Sequence, residues 1–268
     1  QDPNMISASV LFAAKFGFLT QDLFFEFLCP KSRAAQYVAW RALAKEALFR
    51  PSRRDPRIYY LGKAGVASVP GACVRNRYFY HIEHDRLAAR LFLLLNCTGQ
   101  LVRAWSEPEL RCQPWEALSV IGTNDLVKVP DLILDFKGEN GFVRVAVEVE
   151  ASGKSKERYN QVAFSYLGMK RVNLLIFICA NEGIRRQIES SFRSPQFIKE
   201  EKVPVTLMLR DFVKHSLEAP ARILNTELPL RKMLSRALGD ELKTEKNTQE
   251  TLKTAVLSVK NRKNERAA

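Results

Sequence analysis

The chain has 268 residues, enough for one large domain or two modest ones, and its 46% apolar content permits a packed core. Its formal net charge of +13 points to a polyanionic partner, nucleic acid first and an anionic membrane second. No apolar run reaches the roughly 18 residues of a membrane span, and the five scattered cysteines contain no C-x-x-C pair, which argues against a zinc ribbon and a disulfide scaffold. Reduced thiols in a cytoplasm fit this pattern best. Residues 1–4, ahead of Met5, read as a tag remnant and not as a signal peptide.

Residues 5–16 form a helical pattern, with Ile6, Val10, Leu11 and Ala14 near one face and Gly17 as its stop. Thr20 is a suitable N-cap for a second short helix carrying Leu23, Phe24, Phe27 and Leu28, which Cys29-Pro30 ends. A third helix spans 32–47. Its apolar positions Ala35, Val38, Ala39, Ala42 and Leu43 recur at helical spacing, which leaves Arg33, Gln36, Tyr37, Trp40 and Arg41 on the other face. Two short β runs, 48–50 and 57–61, flank the polar turn 51–56 and predict a hairpin.

Three helices followed by a basic hairpin is the order of a winged helix-turn-helix, which takes in residues 5–62. From Lys31 to Tyr60 there are eight Lys and Arg against Glu46 and Asp55 alone. Arg33, Gln36 and Arg41 are the candidate base readers, since Arg and Gln can bond guanine and adenine edges in two places at once. Arg53, Arg54 and Arg57 are the candidate phosphate contacts. Winged helices also mediate protein contacts, and Tyr37 and Trp40 are candidates to pack against a second domain.

Residues 63–77 read as a linker. A strong amphipathic helix over 78–95 has Leu87, Leu91 and Leu94 in register, with His81 and His84 at i, i+3. No further His or Cys completes a metal site there, so packing or hydrogen bonding is the expected role of that pair. A strand at 101–106 follows. Next come two strands beginning near Asp131 and ending at Glu148 and Glu150, joined by the turn 137–141. Alternation puts Glu148 and Glu150 on one face, and carboxylates at adjacent strand ends can converge on a hard divalent cation. They also occur as solvated or salt-bridged edge residues. The pattern continues with a helix over 155–169, an apolar strand over 172–179, a helix over 181–192 and a strand over 203–209. That order predicts an α/β domain with a mixed sheet over 78–227, α+β for the chain as a whole. Residues 228–268 read as a basic tail, helical or disordered.

The α-β-β-β-α-β order, with Pro130-Asp131 opening one strand and Glu148-Val149-Glu150 closing the next, resembles the PD-(D/E)xK nuclease superfamily, a restriction-endonuclease-like fold. Set behind a winged helix, a hairpin ending in Tyr59-Tyr60-Leu61, a His-bearing helix and Trp105-Ser106-Glu107-Pro108-Glu109-Leu110, it resembles the replication-relaxation family of plasmids and other mobile elements. The resemblance implies Mg²⁺ or Mn²⁺ held by Asp131 and Glu148. It further implies a third catalytic position, usually Lys and here Glu150, with Lys154 or Lys156 as substitutes. An additional acid would come from Glu83, Asp85, Glu107 or Glu109.

The resulting expectation is a cytoplasmic protein that binds double-stranded DNA in replication, transfer or transcription control of a mobile element, with no membrane partner and with a homodimer left open. The alternatives are a metal-dependent endonuclease using Asp131, Glu148, Glu150 and Lys154, and a protein-interaction scaffold with an inactive nuclease-like domain.

Overall fold

The computed structural model describes residues 3–29, 32–45, 47–69, 82–123, 128–139 and 141–239. The described residues divide into two compact units, 3–97 and 98–239.

In the first unit, α1 (Pro3–Phe16) ends at Gly17, whose φ of 83° is the left-handed conformation that glycine adopts freely, and whose N–H closes on the Ala13 carbonyl. The strand β1 (Leu19–Thr20) precedes α2 (Gln21–Leu23), which continues as a π-helical turn over Phe24–Leu28. Then come α3 (Arg33–Lys45), β2 (Phe49–Pro51), β3 (Ile58–Leu61) and α4 (Lys63–Ser68). The strands form an antiparallel sheet in the order β1-β3-β2. The predicted hairpin is therefore present, with β1 added on its far side. Two residues of β1 carry too little pattern to be seen in sequence. A Cβ at Gly62 would stand 2.5 Å from the Ala47 carbonyl oxygen, so only glycine lets the chain cross there into α4. That helix occupies the start of the predicted linker, whose remainder, 70–77, lies outside the described residues.

The helix α5 (Ile82–Asn96), predicted to open the second domain, belongs to the first unit instead. Phe92 meets Phe16 with ring centroids 5.4 Å apart, and Arg86 and Arg90 pair with Asp22 and Glu26 at 2.8–2.9 Å. Leu87, Leu91 and Leu94 are buried, as their register implies. His81 lies outside the described residues, and His84 Nδ1 sits 3.1 Å from Asp85 Oδ1.

The second unit is built on a seven-stranded mixed sheet, ordered β10-β9-β8-β7-β6-β5-β4. The strands are β4 (Leu101–Ser106), β5 (Leu132–Gly138), β6 (Gly141–Glu150), β7 (Leu174–Cys179), β8 (Val205–Met208), β9 (Pro220–Ile223) and β10 (Thr226–Pro229). An antiparallel meander β4-β5-β6 passes through α8 (Lys156–Leu167) into the parallel pair β6-β7. Then α9 (Glu182–Ser191) and α10 (Pro195–Lys199) lead to β8, parallel to β7. The succession of three antiparallel strands, a helix, β7, a helical segment and β8 follows the expected order, although the helix predicted to open it lies in the first unit and two unpredicted helices stand between β4 and β5. Leu175–Cys179 are buried throughout, as an apolar run in a central parallel strand should be.

One sheet face packs a core in which Ile133, Ala146 and Phe177 meet Tyr159, Tyr166 and Ile188 from the helices. Two further helices, α6 (Glu107–Cys112) and α7 (Pro114–Ile121), contribute Leu110, Ala117 and Ile121 to the same core. Each carries a proline in its first turn, where no N–H is needed. The start of the predicted tail is helical, one of the two forms expected, and it packs into the unit. The helix α11 (Leu209–His215), the hairpin β9-β10 and the amphipathic α12 (Leu230–Leu238) complete the unit, with Leu230, Leu234 and Leu238 buried. Residues 240–268 lie outside the described ones.

Cys29, Cys97 and Cys179 are buried and lie outside any disulfide. Cys112, the last residue of α6, is disulfide-bonded, so the expectation of uniformly reduced thiols fails there. Among the described residues no helix is long and apolar enough to cross a membrane.

Candidate functional site

The pairing of β5 with β6 brings the acids of the second unit to one end of the sheet. Leu132 stands opposite Val147, so Asp131, just ahead of β5, comes level with Glu148. Asp131 Oδ2 accepts a hydrogen bond from the Val149 N–H at 2.7 Å. Glu148 and Glu150 follow Ala146 in the strand alternation and share its face, the one that α8 covers. Both are only 2% exposed.

A buried carboxylate is tolerable only when its oxygens are paired. Glu148 Oε2 accepts from the Lys128 ammonium at 2.8 Å, and Oε1 accepts from the Tyr166 hydroxyl. Glu150 Oε1 accepts from the Lys154 ammonium at 2.5 Å. Burial pushes the Glu148 carboxyl up to about 7; the Lys128 charge opposes that rise and the Asp131 carboxylate adds to it. Burial pulls Lys128 downward, but Glu148, Asp131 and Glu150 together outweigh it and the ammonium is held above its ordinary range. Burial, with Glu148 behind it, drives the Tyr166 phenol well above its ordinary value, so it stays a donor. Burial also pushes Tyr159 and Cys179 up to about 12, which leaves neither of them a ready nucleophile.

The implied divalent metal does not fit these residues as they are arranged. Mg²⁺ demands carboxylate oxygens at about 2.0–2.1 Å in octahedral array. Here both Glu148 oxygens are taken, one of them by an ammonium, and a second ammonium holds Glu150. Among the described residues no group of three His, Cys, Asp or Glu is disposed to hold a metal. The candidates for the additional acid are engaged elsewhere. The Glu107 N–H donates to the Asp131 carbonyl, but its carboxylate pairs with Arg111 at 2.7 Å. Glu109 closes a capping box with Ser106, while Glu83, paired with Arg86, and Asp85 belong to the first unit.

Sequence reasoning missed Lys128 and Tyr166 as partners of Glu148. Tyr166 is legible as a core position of α8. Nothing in the sequence shows that a lysine 20 residues upstream should reach Glu148.

In the first unit α3 is rotated from its predicted orientation. Leu43 points inward as expected, at 0% exposure, but Trp40 joins it at 3%, while Val38, assigned to the core face, is 62% exposed. Trp40 stacks on Tyr59 with centroids 3.9 Å apart and an interplanar angle of 10°, and it also meets Phe24. Its partners thus lie within its own unit. Gln36 is a correction among the base readers: its amide donates to the carbonyls of Phe25 at 2.9 Å and Cys29 at 3.0 Å, tying α3 to the preceding turn.

Arg33, Tyr37, Arg41 and Lys45 recur every fourth residue along the exposed face. Arg41 Nε makes one long bond, 3.4 Å, to the Tyr37 carbonyl. Arg53 and Arg54 are exposed on the turn between β2 and β3. Arg57 is held in a two-point pair by Asp55 at 2.8–3.0 Å, which lowers the Asp55 carboxyl and raises the guanidinium. Tyr37 and Lys45 were not singled out as functional from sequence, though their spacing with Arg33 and Arg41 was available. Compared with protein-family models, curated proteins and solved structures, the chain matches none.

Proposed function

We propose that the chain is a DNA-binding protein that grips duplex DNA with the exposed face of α3 and the β2–β3 turn. The carrying observation is the exposed stripe Arg33, Tyr37, Arg41 and Lys45, which runs beside the buried Trp40 and Leu43. At 1.5 Å per residue the stripe is about 18 Å long, suited to lying along a major groove. The α1-β1-α2-α3-β2-β3 order and the exposed Arg53 and Arg54 support a winged helix-turn-helix reading, in which α3 enters the groove and the turn touches phosphates. The net charge of +13 supports a polyanionic partner. In this reading the protein acts, as the replication-relaxation resemblance implies, in replication, transfer or transcription control of a mobile element.

The test is duplex binding by fluorescence anisotropy across salt concentrations, wild type beside Arg33→Ala/Arg41→Ala. Loss of two phosphate or base contacts should weaken binding and reduce the log–log salt slope by up to about 2. An unchanged affinity and slope would remove α3 from the interface.

A second reading, metal-dependent cleavage at Asp131, Glu148 and Glu150, draws on the strand order and the position of these acids. The two ammonium partners count against it and favour a nuclease-like unit that serves binding or regulation. Supercoiled plasmid incubated with Mg²⁺ or Mn²⁺ should stay intact. Nicking that Asp131→Ala and Glu148→Ala abolish would restore the enzyme reading.

A further inference from the structure

The second unit carries three acids at one sheet end, which in a metal-dependent site would be neutralised by a divalent ion. Here two lysines supply the same charge. Lys128 Nζ lies 2.8 Å from Glu148 Oε2 and Lys154 Nζ lies 2.5 Å from Glu150 Oε1. The Lys128 side chain is only 18% exposed, and its charge acts on Glu148, Asp131 and Glu150 together. Lys154 is 35% exposed and approaches from the loop after β6, so it is the more peripheral of the two.

We propose that Lys128 is the resident cation of this cluster, an internal ammonium that occupies the place of a divalent metal and closes the second unit to Mg²⁺ and Mn²⁺. Three physical facts carry it. A metal at Glu148 must expel the ammonium or sit beside it, and like charges that close together repel. Expelling the ammonium breaks a hydrogen bond to a buried carboxylate, which is worth more than one between neutral groups. The Tyr166 hydroxyl holds the other Glu148 oxygen, so the carboxylate cannot rotate to offer a free edge without orphaning a fully buried phenol. This inference is independent of the role of α3, and either can fail alone.

Removing the ammonium should unmask the site. Mn²⁺ binding is read on the full chain by the loss of the free-ion paramagnetic resonance signal, for wild type, Glu148→Gln, Lys128→Ala and Lys128→Ala/Glu148→Gln. Wild type should take up no Mn²⁺ that depends on Glu148. Lys128→Ala should bind it about a hundredfold more tightly than wild type, as loss of one adjacent like charge implies. The added Glu148→Gln should abolish the gain. Wild-type binding that Glu148→Gln removes would overturn the proposal, as would a folded Lys128→Ala that gains no affinity. If Lys128→Ala does not fold alone, millimolar Mn²⁺ should restore its native circular dichroism, and a failure to do so would equally overturn it.

Discussion

The Lys128 ammonium and the Glu148 carboxylate meet at 2.8 Å across 20 residues of chain, with Glu148 all but sealed from solvent. Removing one partner leaves the other charge buried and alone, a loss of about 3–5 kcal/mol. Removing both charges with side chains of similar size avoids that penalty. Lys128→Met should therefore be strongly destabilising, and Lys128→Met/Glu148→Gln much less so than the sum of the single variants. Urea unfolding of the four proteins gives the coupling directly. Additive effects would mean that the two groups do not meet in solution.

The raised Glu148 carboxyl has a consequence for pH dependence. Its ordinary value is 4.5 and its folded value is about 7, so between these limits the folded state holds a proton that the unfolded state has released. Stability must then fall as pH rises through this window, by up to about 3 kcal/mol. Lys128 acts at the other end: its raised value contributes stability that is fully present below its ordinary 10.5 and is lost as pH climbs through the folded value. Urea midpoints at intervals from pH 4.5 to 8 should decline in wild type and flatten in Glu148→Gln. The same decline in both proteins would assign the effect to another group.

The differences between what the sequence and the structure say have local physical causes. The strand β4 has its predicted bounds, and the face of α8 carrying Tyr159, Val162, Ala163 and Tyr166 is buried as read, because strong periodicity over a whole element leaves one solution. The helix α3 was rotated because its alanines fit either face. Trp40 decides the matter through the large area it buries against Tyr59. Pro108 and Pro114 each sit in the first turn of a helix that the element pattern does not announce; the capping box of Ser106 with Glu109 is the readable sign of the first. The hairpin β9-β10 is short and bounded by Pro220 and Pro229, so its strands carry little pattern. The acids were legible from strand alternation. Their cation was not, since an ion pair between a loop residue and a strand leaves no spacing to find.

Gln36 separates a structural role from a recognition role. Its amide bonds the carbonyls of Phe25 and Cys29, at the close of the helical turn before α3. Gln36→Ala should cost about 1–3 kcal/mol by leaving partly buried carbonyls without donors. It should lower the melting temperature while leaving the order of preference among duplex sequences unchanged. A shift in preferred sequence with unaltered stability would return Gln36 to the groove.

Tyr37 and Trp40, three residues apart on α3, should respond oppositely to truncation. Trp40 is 3% exposed and stacks on Tyr59, so Trp40→Ala leaves a cavity in the first unit and should cost about 3–5 kcal/mol. Tyr37 is 39% exposed and meets Phe25 edge-on, at 5.0 Å between centroids, so Tyr37→Ala should cost about 1 kcal/mol. If α3 faces the duplex with its Arg33–Arg41 stripe, the order reverses for binding. Folded Tyr37→Ala then loses affinity at constant salt, whereas Trp40→Ala, compared at a temperature where it remains folded, binds as wild type does. Calorimetry and anisotropy on the same preparations read both quantities. A Tyr37→Ala protein with full affinity would show that the exposed face of α3 is not what touches DNA.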